Sequence, residues 1–299
     1  MTSLALEVLP VQAAMHACLA IPEHRNIVAL ASAKFERPQW VVTPEESASS
    51  RQAPKMSGGA RFRGAMSAPD PVDPQFALTP EIVLTGPLPL GPREAQQLGL
   101  LGVPHSIFVL PEVEPGHVAE LREWALAVAK HCWGGVIQES GTILRPDPES
   151  LVDLRLYSPD PQPMSIVQEV VRSVLPRAQE YQDSDGTTAL YTTLEYDGTI
   201  VIKRSRATRD LPPALATVDW RDYGPHVYEV SWIPPDPEEL TQEMPSSLHM
   251  IARRRAAPMV ARTMAMLQQK FEGTVLDTED FMVQSEALQA RAQGKSQGI

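Results

Sequence analysis

The segment Asp219-Trp-Arg-Asp-Tyr-Gly-Pro-His226 gathers aromatic, acidic and basic side chains into eight residues that lead into an apolar run. Trp220, Arg221 and Tyr223 are the types that anchor binding surfaces, and Asp222 with His226 could move a proton near neutral pH. A loop of this make-up reads as a recognition loop, and in a cleft it would be the first candidate for a site. The plainer reading has Trp220 and Tyr223 pinning the loop to a core while Arg221 and Asp222 pair at the surface.

The second feature is Arg253-Arg254-Arg255, with Arg262 further along, in an otherwise acidic chain. At about 100° per helical residue, Arg254 points away from the apolar stripe, while Arg253 and Arg255 flank it. Arg254 and Arg262 then mark either a solvated face or a docking surface for an acidic partner or a second copy.

Other chemistry was sought and set aside. Gly294-Lys-Ser296 ends like a phosphate-binding loop, but its first glycine falls on Gln289 and no strand precedes it. Gly134-Gly135 follows a helix rather than a strand, which is wrong for a dinucleotide loop. No Gly-x-Ser-x-Gly elbow occurs. His131 and Cys132 are neighbours on a helix and diverge by about 100°, and Cys132 falls on the apolar side. Asp183-Ser-Asp185-Gly186 lacks the outer ligands of a calcium loop, with Tyr181 and Thr192 at those positions. The seven histidines show no i, i+4 pair. No cofactor and no metal are therefore expected.

The chain of 299 residues has 26 basic and 37 acidic residues, a net charge of −11. That field repels phosphate backbones, so no nucleic-acid partner is expected. Cys18 and Cys132 are too few for a disulfide or zinc framework, which suits a reducing compartment. Leu4–Ala20 is mildly apolar but broken by Glu7 and Pro10, without a basic leader. With no run of about 18 apolar residues, the expectation is a cytoplasmic protein, neither exported nor inserted in a membrane.

The elements that must position these residues begin after a change of composition. Residues 1–66 carry +2, whereas 67–299 carry −13. Pro, Ser, Ala and Gly dominate from Thr43 to Pro80, too little apolar surface to offset ordering entropy. Residues 1–78 are thus expected to be a flexible, disordered extension, with Met66 an alternative start. Strands are expected at Glu81–Thr85, Ser106–Leu110 and Leu151–Tyr157, and helices at Pro115–Cys132 and Met164–Leu175. Val136-Ile137 and Thr142–Leu144 form a small hairpin. Further on, Asp197-Gly198 is a hairpin turn signal between Thr187–Tyr196 and Thr199–Lys203. His226–Ile233 reads as a strand. Asp236-Pro237-Glu-Glu opens a helical turn, and Ser246 or Ser247 caps a long helix to Phe271. Its buried face is expected to hold Leu248, Ala252, Ala256, Met259, Val260, Met264 and Leu267. Gly273–Leu276 and Phe281–Val283 close the chain, before a polar tail.

The two stretches share a pattern: strand, prolines and acids, long helix, glycine, two short strands. The expected fold is α+β, two tandem, duplicated ferredoxin-like units at 79–180 and 181–299, with Gly135 and Gly273 equivalent. The function expected is a non-enzymatic protein-interaction or self-associating module. The alternative is an enzyme or small-ligand binder with a cleft between the halves, where Arg221, Asp222, Tyr223 and His226 would lie.

Overall fold

The computed structural model describes residues 7–52, 72–182, 188–207, 211–242 and 245–295. It is a mixed α+β chain with two antiparallel sheets. The chain divides into two compact units at Pro146/Asp147, with Ser32–Lys34 counted to the second.

The first unit runs β1 (Cys18–Pro22), α1 (Ile27–Ala31), β2 (Gln39–Val42), α2 (Pro44–Gln52), β3 (Gln75–Thr79), β4 (Ile82–Leu90) and α3 (Pro92–Gln97). It continues with β5 (His105–Val109), α4 (Pro115–Cys132), β6 (Gly135–Ile137) and β7 (Ile143–Leu144). Its seven strands lie in the order β2-β3-β4-β5-β1-β6-β7. Pro104 and Pro111 bound the apolar run of β5, and Trp133 in the left-handed region ends α4. On α4, Leu121, Ala125, Val128, Ala129 and Cys132 are buried as their spacing predicts, but Val118 is exposed. Trp124 takes the remaining central position, its indole N–H donating to the Leu30 carbonyl.

The expected disordered extension is corrected here. All five residues of β1 are buried, and the strand pairs with β5 on one side and β6 on the other. A strand bonded on both edges and covered on both faces is continuously apolar, so Cys18-Leu-Ala-Ile shows no alternation to betray it. Thr43 and Glu46 form a capping box for α2: each backbone N–H donates to the other's side chain. The disordered reading of residues 1–6 and 53–71 falls outside the described residues.

The second unit comprises β8 (Leu154–Ser158), α5 (Met164–Val174), β9 (Gln179–Gln182), β10 (Thr188–Leu194), β11 (Gly198–Arg206), β12 (His226–Ile233), α6 (Ser247–Phe271), β13 (Thr274–Asp277) and α7 (Ser285–Ala292). The sheet order is β13-β8-β12-β11-β10-β9. Two expected boundaries move: β8 and α5 belong to this unit, because β8 pairs with β12 and β13. The expected polar tail is helical over α7, where Leu288 is buried. Leu154, Leu156, Ile202 and Val230 of the sheet meet Val167 and Val171 of α5 and Ala256, Val260, Met264 and Leu267 of α6. Each large apolar side chain so buried contributes about 1.5–3 kcal/mol.

Strand order repeats between the sheets. In the first, β5 and β6 are mutually parallel, joined through α4, with β1 antiparallel between them. In the second, β12 and β13 are joined through α6, with β8 between them. The expected pairing of Gly135 with Gly273 shifts by one residue. Gly273 stands where Gly134 stands: a Cβ on Gly134 would lie 2.2 Å from the Ala20 carbonyl oxygen of β1, and one on Gly273 2.3 Å from that of Tyr157 on β8. Each helix leaves through a non-glycine residue at positive φ, Trp133 and Glu272. The glycine then lets the chain slip against the middle strand.

A chain starting at Met66 would lack β1 and β2. It is expected to lose the cooperative unfolding of the first unit, seen as a missing calorimetric transition and protease sensitivity of residues 72–146. A truncated chain that melts within a degree or two of full length would contradict this role for β1.

Candidate functional site

The N-terminal end of α6 is assembled from short-range capping. Asp236 accepts the Glu238 N–H to start the turn Pro237–Thr241. The Glu239 carboxylate then accepts the Ser246 N–H at 2.6 Å, which holds it below the usual carboxylate range. Ser246 in turn caps α6 by accepting the His249 N–H. One face of the helix thereby projects His249 and Arg253, one turn apart, into a cleft of about 250 Å³.

Both side chains are buried, at 6% and 3% exposure. A buried guanidinium needs a counterion. Asp147, which caps the turn Pro148–Ser150, accepts from Arg253 Nη2, with Glu149 3.8 Å away. The opposite wall comes from the sheet. Trp232, near the end of β12, donates its indole N–H to the Asp197 carbonyl at 2.7 Å, and its ring lies 5.2 Å from that of His249. Its backbone N–H donates to Asp153, just ahead of β8, at 2.8 Å. Burial pushes the Asp153 carboxyl up to about 6, with Glu229 adding to the rise and the Trp232 N–H opposing it.

Two fully buried nitrogens of these lining residues, His249 Nδ1 and Arg253 Nε, have no hydrogen-bond partner among the described residues. The arrangement offers hydrogen-bonding nitrogens on the helix side, a carboxylate on the sheet side and an aromatic wall between.

The cleft exists in the second unit because α6 is longer than its counterpart. Measured back from Gly134 and Gly273, α4 has 18 residues and α6 has 25. The extra turns carry His249. The apolar stripe drifts there for the same reason: Leu248 is 79% exposed and Met259 half-buried, while His249 and Arg253 occupy the inner face.

The residues singled out from sequence lie elsewhere. Trp220 is 70% exposed, with the Arg221 guanidinium 4.8 Å above its ring and 3.5 Å from Asp219. The loop is fastened where the Asp222 carbonyl accepts from Thr274 Oγ1. Tyr223 and His226 are half-buried, and no hydrogen bond or ion pair among the described residues joins them to Trp220 or Arg221. Burial, then Arg206 and Arg204, hold His226 below the ordinary histidine range, Asp160 opposing. Arg254 does point outward, 3.5 Å from Glu149, and Arg262 donates to the Ala292 carbonyl at the end of α7. Sequence reading missed Asp153, Trp232 and His249, and placed Arg253 only at the edge of the apolar stripe. The one available signal was the i, i+4 spacing of His249 and Arg253 behind a serine cap.

Among the described residues no helix is long and apolar enough to cross a membrane, and no three His, Cys, Asp or Glu side chains cluster as metal ligands. The chain matches no family model, no curated protein and no solved structure.

The folded chain holds the Asp153 proton more tightly than the unfolded chain, where aspartate titrates near 3.8. This group therefore makes stability fall as pH rises from about 4 to about 6, with no further loss above. Asp153→Asn keeps an oxygen for the Trp232 N–H without the charge. It is expected to remove that fall and to melt higher than wild type above pH 6. Parallel pH profiles of the two proteins' melting temperatures would contradict the assignment.

Proposed function

We propose that this chain is a binding protein of two duplicated, ferredoxin-like units, each enlarged by an extra pair of antiparallel strands, whose working site is the cleft of the second unit. The common strand order and the matching Gly134 and Gly273 junctions support duplication. The ligand reading is supported by one observation: Asp153 and Trp232 from the sheet and His249 and Arg253 from the helix line one cleft of about 250 Å³. This is the small-ligand alternative of the sequence reading, with the site inside one unit and no catalytic step assigned. Cytoplasmic residence accompanies this proposal, in keeping with the low cysteine content.

A thermal-shift screen of small polar metabolites tests it. A ligand at about 100 times its Kd stabilises by about 2.7 kcal/mol, or roughly 5–10 °C for a unit of this size. The shift is expected to vanish in Asp153→Asn and His249→Leu. Shifts that survive both substitutions would place the ligand elsewhere.

The protein-partner reading retains one specific observation, the exposed Trp220 with Arg221 stacked on it. If that loop is an interface, for a partner or for self-association, Trp220→Ala should lower the sedimentation mass of the assembled species at low salt. An unchanged mass distribution would leave the loop as surface.

A further inference from the structure

The lining of the cleft fixes the charge of its occupant, on the reading that a small ligand binds there. Arg253, its one permanent cation, is 3% exposed, and its outer nitrogen is spent on Asp147. Arg253 Nε and His249 Nδ1 are fully buried, so neither meets a bound molecule. The carboxylates of Asp147, Asp153 and Glu239 line the same space. Asp147 answers Arg253, and Glu239 accepts the Ser246 N–H. Asp153 is different. One of its oxygens is fixed by the Trp232 N–H, 2.8 Å away. The other accepts no hydrogen bond among the described residues, yet it is not sealed in as the two nitrogens are. The charge that bears on Asp153, that of Glu229, has the same sign as its own. A carboxylate pinned by the end of a strand and open on one side is a preorganised acceptor, which lowers the entropic cost of binding.

An anion would meet these carboxylates without reaching a cation. A neutral donor would occupy the open oxygen but leave its charge uncompensated, and a partly buried charge without a counterion is costly. A cation answers both. A bare metal ion lacks its ligand set, because no three His, Cys, Asp or Glu side chains cluster among the described residues. An ammonium needs only hydrogen-bond acceptors. The volume of about 250 Å³ corresponds to roughly eight water volumes, room for about five to nine non-hydrogen atoms. Trp232, Val152 and Leu240 supply apolar wall for a short carbon skeleton. We infer that the cleft binds an organic cation, a small primary amine whose ammonium sits on the open oxygen of Asp153 and whose carbon skeleton lies along the apolar wall.

Calorimetric titration of the full chain near pH 7 with butylamine, cyclohexylamine and benzylamine tests this. Each amine is compared with the alcohol and the carboxylic acid of the same carbon skeleton. Physiological salt screens exposed charges beyond about 8 Å, which suppresses the general attraction of an acidic chain for cations. At least one amine is expected to bind about tenfold or more tightly than its alcohol, with no binding of its acid. This comparison is made on the wild-type chain, so it does not depend on a variant folding. Asp153→Asn should abolish the preference for the amine. Glu169→Gln removes the same charge from an exposed position of α5 and should leave that preference intact. An alcohol that binds as tightly as its amine would overturn the inference. So would a preference that survives in both variants, or one lost equally in both. If the amines fail while another small molecule binds with sensitivity to Asp153→Asn, the cation is wrong and the cleft remains a ligand site. If no compound of either screen binds, both readings fall.

Discussion

Each unit depends on one constraint: its first strand must be inserted between the two strands that its long helix joins. β1 separates β5 from β6, and β8 separates β12 from β13. Parallel strands joined through a helix need a crossover connection, and α4 and α6 supply it across the inserted strand. The inserted strand has both edges hydrogen-bonded, so its backbone is satisfied by strands distant in the chain. Cys18 pairs with Val109, and Leu154 with Val230. Without the first strand, the two strands on either side of it have no shared partner.

That arrangement explains where the glycines fall. The crossover helix must descend directly onto the inserted strand, and at the contact the backbones leave no room for a Cβ. Trp133 and Glu272, both at positive φ, carry the turn immediately before. Such a conformation costs a non-glycine residue of order 1 kcal/mol or more, and both units retain it. Gly134 is required for space, and Gly273 both for space and for its own φ of +121°.

The cleft is a departure from this shared plan rather than part of it. Extending the crossover helix at its N-terminal end carries His249 beyond the point where α4 begins, over the end of β12 and the entry to β8. Side chains added there cannot all find partners in the sheet, whose end offers Asp153 and the Trp232 ring. Arg253 is compensated by Asp147, yet one nitrogen on each helix residue has no hydrogen-bond partner among the described residues. A buried polar network left partly unsatisfied destabilises a fold.

Local signals in the sequence determined most elements. The Asp197-Gly198 turn, the proline-bounded β5 and the helices ending at Cys132 and Phe271 follow from turn chemistry, stop signals and 3.6-residue periodicity. The capping box at Thr43 and Glu46 was legible too, although surrounding Pro, Ser and Ala masked it. Tertiary structure alone decided that Cys18–Pro22 is a central strand, because a short, fully buried strand has no periodicity and its partners are more than 80 residues away. It also decided the site. Asp147, Asp153, Trp232, His249 and Arg253 are spread over more than 100 residues, and only Arg253, within its run of three arginines, stands out among its neighbours. Their chemistry comes from burial and from which hydrogen bonds stay unmade, and those are properties of packing.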